Sequence, residues 1–170
     1  MIVAIDVHYR EHITKAVAIT YEQWEDTQPV AIHKTWIAEV APYIPGQFYK
    51  RELPCILRIL EQVDIATIDT LLVDGYVVLN DDGKPGLGKY VYEHYQQTIP
   101  VIGVAKTAFK NNQQQVQPIL RGKSKQPLFI TSAGMDLSEA AANILNMDGP
   151  YRIPTLLRLL DFHTKNDGDG

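Results

Sequence analysis

This sequence predicts a single layered α/β domain. Its mixed sheet should begin as an antiparallel meander, continue with parallel strands, and be flanked by helices. Three observations carry that expectation. Residues 1–37 hold three strand-like apolar segments with no helical spacing between them. From residue 47 onward, stretches of helical period alternate with short apolar runs, the order that builds parallel strand pairs. The chain has 170 residues, with 45% hydrophobic and 21% charged content, which suits one substantial core. The domain is expected over 1–165, with 166–170 a disordered tail.

The elements follow in order. Residues 2–9 (IVAIDVHY) are rich in β-branched side chains and read as a buried strand; 13–21 and 30–37 read the same way, separated by a polar turn at 23–29. Pro42 and Pro45 then bracket Tyr43 and Ile44. Each proline fixes its own φ and extends the residue before it, so this loop is stiff until Gly46 releases it. A helix is expected over 47–63, where Pro54 should kink it or mark its true first turn. Residues 70–74 form a buried strand ending in Asp74-Gly75, 80–85 a turn-rich loop, 86–97 a helix and 100–106 another buried strand. The polar, Gln-rich stretch 110–126 carries little structural signal. A last strand at 128–131 and helices at 137–146 and 153–163 complete the domain.

Several function classes are excluded. No apolar run approaches the roughly 18 residues of a membrane span, and the N-terminus lacks the basic region of a signal peptide, so an intracellular, cytoplasmic protein is expected. Cys55 is the only cysteine, which rules out an internal disulfide or a thiolate metal cluster. The five histidines lack zinc-ligand spacing, and no phosphate loop, nucleophile elbow or dinucleotide fingerprint is present. Net charge is −4, but it is divided unevenly: residues 84–125 carry seven Lys/Arg against Glu93 alone, net +6, and the remainder carries nine basic and nineteen acidic residues, net −10. A cationic segment on an acidic chain is compatible with phosphate binding on one face, and equally with a solvated basic loop.

Asp6 interrupts an apolar strand, and a buried carboxylate is costly unless paired, protonated or bound to a cation. Asp74 closes a second apolar strand, and Glu52 lies on the helix between them. If these three converge, they offer the all-oxygen donors that hard divalent ions such as Mg²⁺ take, with Mn²⁺ as a substitute. Such an ion suits phosphodiester cleavage. The same residues also fit a strand aspartate tied to backbone and an ordinary Asp-Gly turn. Lys106 could reach a phosphate, or be a surface lysine at a strand end. Tyr43-Ile44 could be a wedge between nucleic-acid strands, or simply pack on the domain.

Taken together, Val3-Ala-Ile-Asp6-Val, Pro42-Tyr-Ile-Pro-Gly46 with Arg51-Glu52, Leu72-Val-Asp74-Gly75 and Ile102-Gly-Val-Ala-Lys106 resemble the endonuclease V family. Fainter matches are Ser132-Ala-Gly134 and Gly149-Pro-Tyr-Arg-Ile-Pro154. The resemblance implies a ribonuclease H-like fold and Mg²⁺-dependent cleavage of DNA or RNA on the 3′ side of a deaminated purine, chiefly inosine, in nucleic-acid repair. It makes Asp6, Glu52 and Asp74 the metal-binding catalytic carboxylates, places Lys106 near the scissile phosphate, and makes Pro42, Tyr43, Ile44, Pro45 and Gly46 the wedge. Gly75 and Gly103 would let the backbone approach base and phosphate closely. The chain departs from the family pattern in having Asp74-Gly-Tyr-Val and Asn80-Asp81 where the family has Asp-Gly-His-Gly and His-Pro. It also has Gly134-Met135-Asp136 where the family usually has Gly-His, and it lacks the family's leading helical segment. Asp136 is then expected as a fourth catalytic carboxylate. The alternatives are a nuclease of this fold acting on other structured nucleic acid, or a nucleic-acid-binding protein that has lost turnover. A monomer is expected.

Overall fold

The computed structural model describes residues 1–38, 44–45 and 48–166. A seven-stranded mixed sheet runs through the molecule, built from β1 (Ile2–Tyr9), β2 (Thr14–Tyr21), β3 (Ala31–Ile37), β4 (Thr70–Asp74), β5 (Val101–Ala105), β6 (Gln117–Ile119) and β7 (Leu128–Ala133). Four helices pack on it: α1 (Phe48–Leu60), α2 (Leu87–His94), α3 (Leu137–Leu145) and α4 (Thr155–Lys165). The strand order is β3-β2-β1-β4-β5-β7-β6. β1, β2 and β3 form the antiparallel meander expected from their unbroken sequence of strand signals. β4 and β5 then extend the sheet parallel to β1, each reached through a helical crossover.

β7 runs antiparallel to β5, and β6 pairs antiparallel on its outer side. The stretch 110–126 therefore contains a strand that its sequence hides. Three residues are too few to show a period, and Pro118 weakens the signal, although proline is at home on a sheet edge. β7 also outruns its expected end by two residues, to Ala133, and α4 begins and ends two residues later than expected.

The sheet separates two cores, and this decides which way every functional side chain points. Even-numbered residues of the central strands (Ile2, Ala4, Leu72, Ile102, Val104) pack with α3 and α4, while the odd-numbered Val3, Ile5, Leu71, Val73 and Val101 pack with α1 and α2. Because the central strands are covered on both faces, they read as continuous apolar runs. On α1, Ile56, Ile59 and Leu60 follow helical spacing into the second core, and Val63 joins them from the turn that follows. Pro54 lies inside α1 rather than at its start. It is exposed there, and its ring removes the N–H that Lys50 O would accept. At the end of α4, Asn166 belongs to the fold: its N–H bonds Phe162 O and its carbonyl accepts from the buried Lys15 Nζ at 2.6 Å. The tail therefore does not begin at residue 166, and 167–170 lie outside the described residues. No helix among the described residues is long and apolar enough to cross a membrane.

Candidate functional site

Strand register brings the predicted acids together. Ile5 pairs with Val73 and Val73 with Gly103, so Asp6 and Asp74 leave adjacent parallel strands side by side, and Lys106 follows directly after β5. All three are even-numbered and share the face covered by α4. They line a cavity of about 40 Å³, and Asp161 of α4 completes its wall from the opposite side. Leu72, Val104 and Leu160 form an apolar floor. Ligand sites of open α/β sheets sit at such strand ends.

The surroundings of each acid are specific. Asp6 accepts from its neighbour Val7 N at 2.9 Å and, through its other oxygen, from Thr164 Oγ1 at 3.4 Å. Burial pushes its carboxyl up to about 7, Asp74 and more weakly Asp161 add to the rise, and the Val7 N–H and Lys106 oppose it. Asp74 stands exposed at the cavity mouth, yet the protein packed behind it also raises its carboxyl, against the pull of Lys106. Glu52 approaches from α1 and is nearly buried. Burial raises it to about 8; the Tyr9 hydroxyl and Arg51 lower it, and Asp6 and Asp74 raise it. The Tyr9 hydroxyl has no partner at full hydrogen-bond distance in this conformation. The Tyr9 ring stacks under the Arg51 guanidinium at 3.5 Å. Asp161 is ion-paired to Lys165 at 3.0 Å.

Four carboxylates that repel one another, with Lys106 as the cation at the cavity wall, form an electrostatic arrangement that calls for protons or a cation. Their donor chemistry is that of a hard divalent ion. Among the described residues, no three of His, Cys, Asp or Glu stand where they could hold one ion together. Mg²⁺ does not require three: it is commonly held by one or two carboxylates plus water and substrate oxygens. The adjacent pair Asp6 and Asp74 fits that habit, with Glu52 and Asp161 to either side.

The remaining predicted residues lie elsewhere. Asp136 is exposed just before α3, where its carboxylate accepts from Ser138 Oγ at 2.5 Å. Because β7 is antiparallel to β5, and Ala133 pairs with Val101, the chain leaves β7 at the opposite end of the strands from Asp74 and Lys106. The carboxylate that joins Asp6 and Asp74 at the cavity is Asp161, whereas Glu52 does not line it. A sequence signal for it exists: an aspartate within the apolar stretch Leu156-Leu-Arg-Leu-Leu-Asp-Phe162. Gly103 is buried, and a Cβ there would lie 2.5 Å from Gly75 O and 2.6 Å from Thr131 Oγ1. The close approach it permits is therefore made by the chain's own segment 75–77, whose Val77 N donates to Thr131 Oγ1. Gly75 does adopt the positive φ (119°) that favours glycine, letting the chain turn immediately after Asp74. Of the expected wedge, Ile44 and Pro45 are described and exposed; Pro42, Tyr43 and Gly46 lie outside the described residues.

Comparison with known proteins follows this geometry. Residues 1–162 match the family described as Endonuclease V. Endonuclease V of Streptomyces avermitilis is 27% identical over 180 residues, covering 94% of this chain and 77% of that protein. The catalytic domain of human endonuclease V superposes with a TM-score of 0.75 at 22% identity, covering 96% of this chain and 80% of that one. Ciona intestinalis endonuclease V, solved in complex with a 24mer DNA containing an inosine followed by a ribo-adenosine, superposes with a TM-score of 0.76 at 16% identity, covering 96% and 84%. These likenesses establish the ribonuclease H-like fold expected from the sequence.

Proposed function

This chain belongs to the endonuclease V family, and on that premise we propose that it is a metal-dependent endonuclease cutting DNA or RNA on the 3′ side of a deaminated purine, inosine above all. The observation that carries the proposal is the convergence of Asp6, Asp74, Lys106 and Asp161 on one cavity at the strand ends. Asp6 and Asp74 would hold a Mg²⁺ ion. When bound, the ion screens the phosphate and acidifies a water, which is chemistry these side chains cannot supply alone. Lys106 presents a compact positive charge to a non-bridging phosphate oxygen. Glu52, with a carboxyl raised to about 8, can take up and release a proton near neutral pH, and Asp161, ion-paired to Lys165, stands at the cavity wall. The basic segment 84–125 continues beyond Lys106 and offers charge to the strand's backbone. We take the protein to act as a cytoplasmic monomer in nucleic-acid repair.

The test is strand nicking by purified protein on DNA and RNA oligonucleotides with one inosine, in Mg²⁺ and in Mn²⁺. Cleavage on the 3′ side of the lesion, abolished in Asp6→Asn and Asp74→Asn, is expected. Intact strands at high protein concentration in Mn²⁺ would refute the proposal. The departures at Tyr76-Val77 and Asn80-Asp81 favour one second reading, cleavage of branched or flapped nucleic acid by the same acids. Flap and junction substrates run beside the inosine strands separate the two.

A further inference from the structure

The loop leading into α4 carries an exposed aromatic ring that the acid-lined cavity does not use. Tyr151 is 58% exposed, although the Arg158 guanidinium lies over its ring, 4.5 Å from the centroid. Chain position puts both beside the site. Ile153 and Leu157 line the cavity, two residues after Tyr151 and one before Arg158.

A lone exposed ring needs no explanation, but the backbone beneath this one is firmly held. The buried Arg121 donates from Nη1 to Tyr151 O at 2.6 Å and Arg152 O at 3.3 Å, and from Nη2 to Met147 O at 2.6 Å and Gly149 O at 3.2 Å. Arg152 in turn donates to Lys106 O at 2.5 Å and Pro127 O at 2.7 Å, which ties the loop to the end of β5. Gly122 packs so closely on Pro150 and Tyr151 that a Cβ would not fit there, and the exposed Lys123 and Lys125 follow it directly. Charge is the second observation. Among the described residues, Lys106, Lys123, Lys125 and Arg158 have no carboxylate within 4.0 Å. An exposed ring braced by a guanidinium and bordered by cations without paired acids suits a single strand of nucleic acid: the ring stacks a base, and the cations meet phosphates.

We propose that Tyr151 is a stacking platform for an unpaired base in the flank of the strand that runs through the acid-lined cavity. Arg158 braces its ring, and Lys123 and Lys125 take the neighbouring phosphates. This inference rests on the nuclease reading above and adds to it a contact outside the cavity. Continuity with the cavity favours nucleic acid over an acidic protein as the occupant. The firm backing has a consequence: a platform already in place costs little ordering when the base arrives. A paired flank must open before it can stack there, so single strands gain most from the contact.

The test reads fluorescence anisotropy of a labelled single strand with one inosine, and of the same strand with every other nucleotide made abasic. Both are titrated in Ca²⁺ over a series of KCl concentrations. Wild type, Tyr151→Ser, Tyr151→Trp and the double variant Lys123→Gln/Lys125→Gln are compared, with thermal melts to show that they fold. Tyr151→Ser should bind the full strand about tenfold more weakly, the size of one lost stack, and bind the abasic strand as wild type does. Tyr151→Trp should keep the wild-type affinity. The double variant should flatten the log–log salt slope by about 1.4, from two phosphates at roughly 0.7 each. Full-strand affinity unchanged in Tyr151→Ser overturns the proposal, as does an equal loss on both strands. If wild type binds neither strand but binds polyglutamate, the surface fits an acidic protein and the proposal falls. Nicking of inosine strands in Mn²⁺ reads the nuclease proposal separately. Nicking by wild type with no effect of Tyr151→Ser on binding sinks the platform and leaves the nuclease reading standing; a tenfold loss of binding without any nicking does the reverse.

Discussion

Replacing Glu52 by glutamine should stabilise the metal-free protein at alkaline pH. In the folded chain the Glu52 carboxyl is raised to about 8 from an ordinary value of 4.5, chiefly by burial. An acid raised on folding binds more protons in the native state than in the unfolded one, so stability declines as pH climbs from 4.5 and the loss is complete above about 8. At about 1.36 kcal/mol per pH unit the shift sets a ceiling of about 5 kcal/mol. The substituted glutamine must still satisfy a buried amide, at roughly 1–3 kcal/mol, leaving a net gain of about 2 kcal/mol. For a chain of this length that is a rise of ~4–8 °C in Tm at about pH 8.5 in EDTA, turning to a small fall near pH 5, where the amide cost has little charge relief to offset it. Circular-dichroism melts at the two pH values, with EDTA and with excess Mg²⁺, measure it. Mg²⁺ should raise Tm in wild type at high pH, because an ion that binds only the native state stabilises it by mass action. A wild-type Tm that stays level from about pH 5 to 8.5 in EDTA, or a Glu52→Gln variant no more stable than wild type at the alkaline end, would refute the reasoning.

Other perturbations probe separate links. Gly103→Ala drives a methyl against Gly75 O and Thr131 Oγ1 and should cost about 3 kcal/mol in urea unfolding, since neither neighbour is a flexible side-chain end. Arg121 is 5% exposed and donates to the carbonyls of Met147, Gly149, Tyr151 and Arg152. Arg121→Met strands these acceptors and should lower stability by ~3–5 kcal/mol, read as a shifted urea midpoint at unchanged slope. Asp161→Asn should slow single-turnover cleavage at least a hundredfold without loss of Tm, whereas Asp136→Asn should leave the rate within about twofold of wild type. Equal effects at the two positions would show that the cavity wall was wrongly drawn.

Much of the architecture was legible because its signals are local. The β-branched run at the start, the missing helical period before residue 47 and the alternation after it all report on neighbours in the chain. Asp6 and Asp74 stood out because each breaks or ends an apolar strand. What stayed hidden depends on direction. Asp136 follows an obvious strand and precedes an obvious helix, and only the antiparallel course of β7 shows that it leaves the sheet at the far end of the strands. Asp161 lies in a stretch of helical period, and that period cannot say which end of the sheet a helix will reach. Gly103 resembled a ligand-facing glycine, and the space it leaves is taken by residues 75–77 of the same chain.

α4 covers β1 and β2, so the last helix described closes over the first strands and brings Asp161 to within electrostatic reach of Asp6. On the ribosome this ordering has a temporal meaning. Strands β1 and β2 emerge early, but one face of each stays uncovered, and the acid set stays a member short, until α4 has cleared the exit tunnel. A nascent chain stalled before α4 would expose apolar sheet to chaperones and lack its full complement of acids. The acid set would then be completed in one step, when α4 docks, and not gradually as the strands emerge.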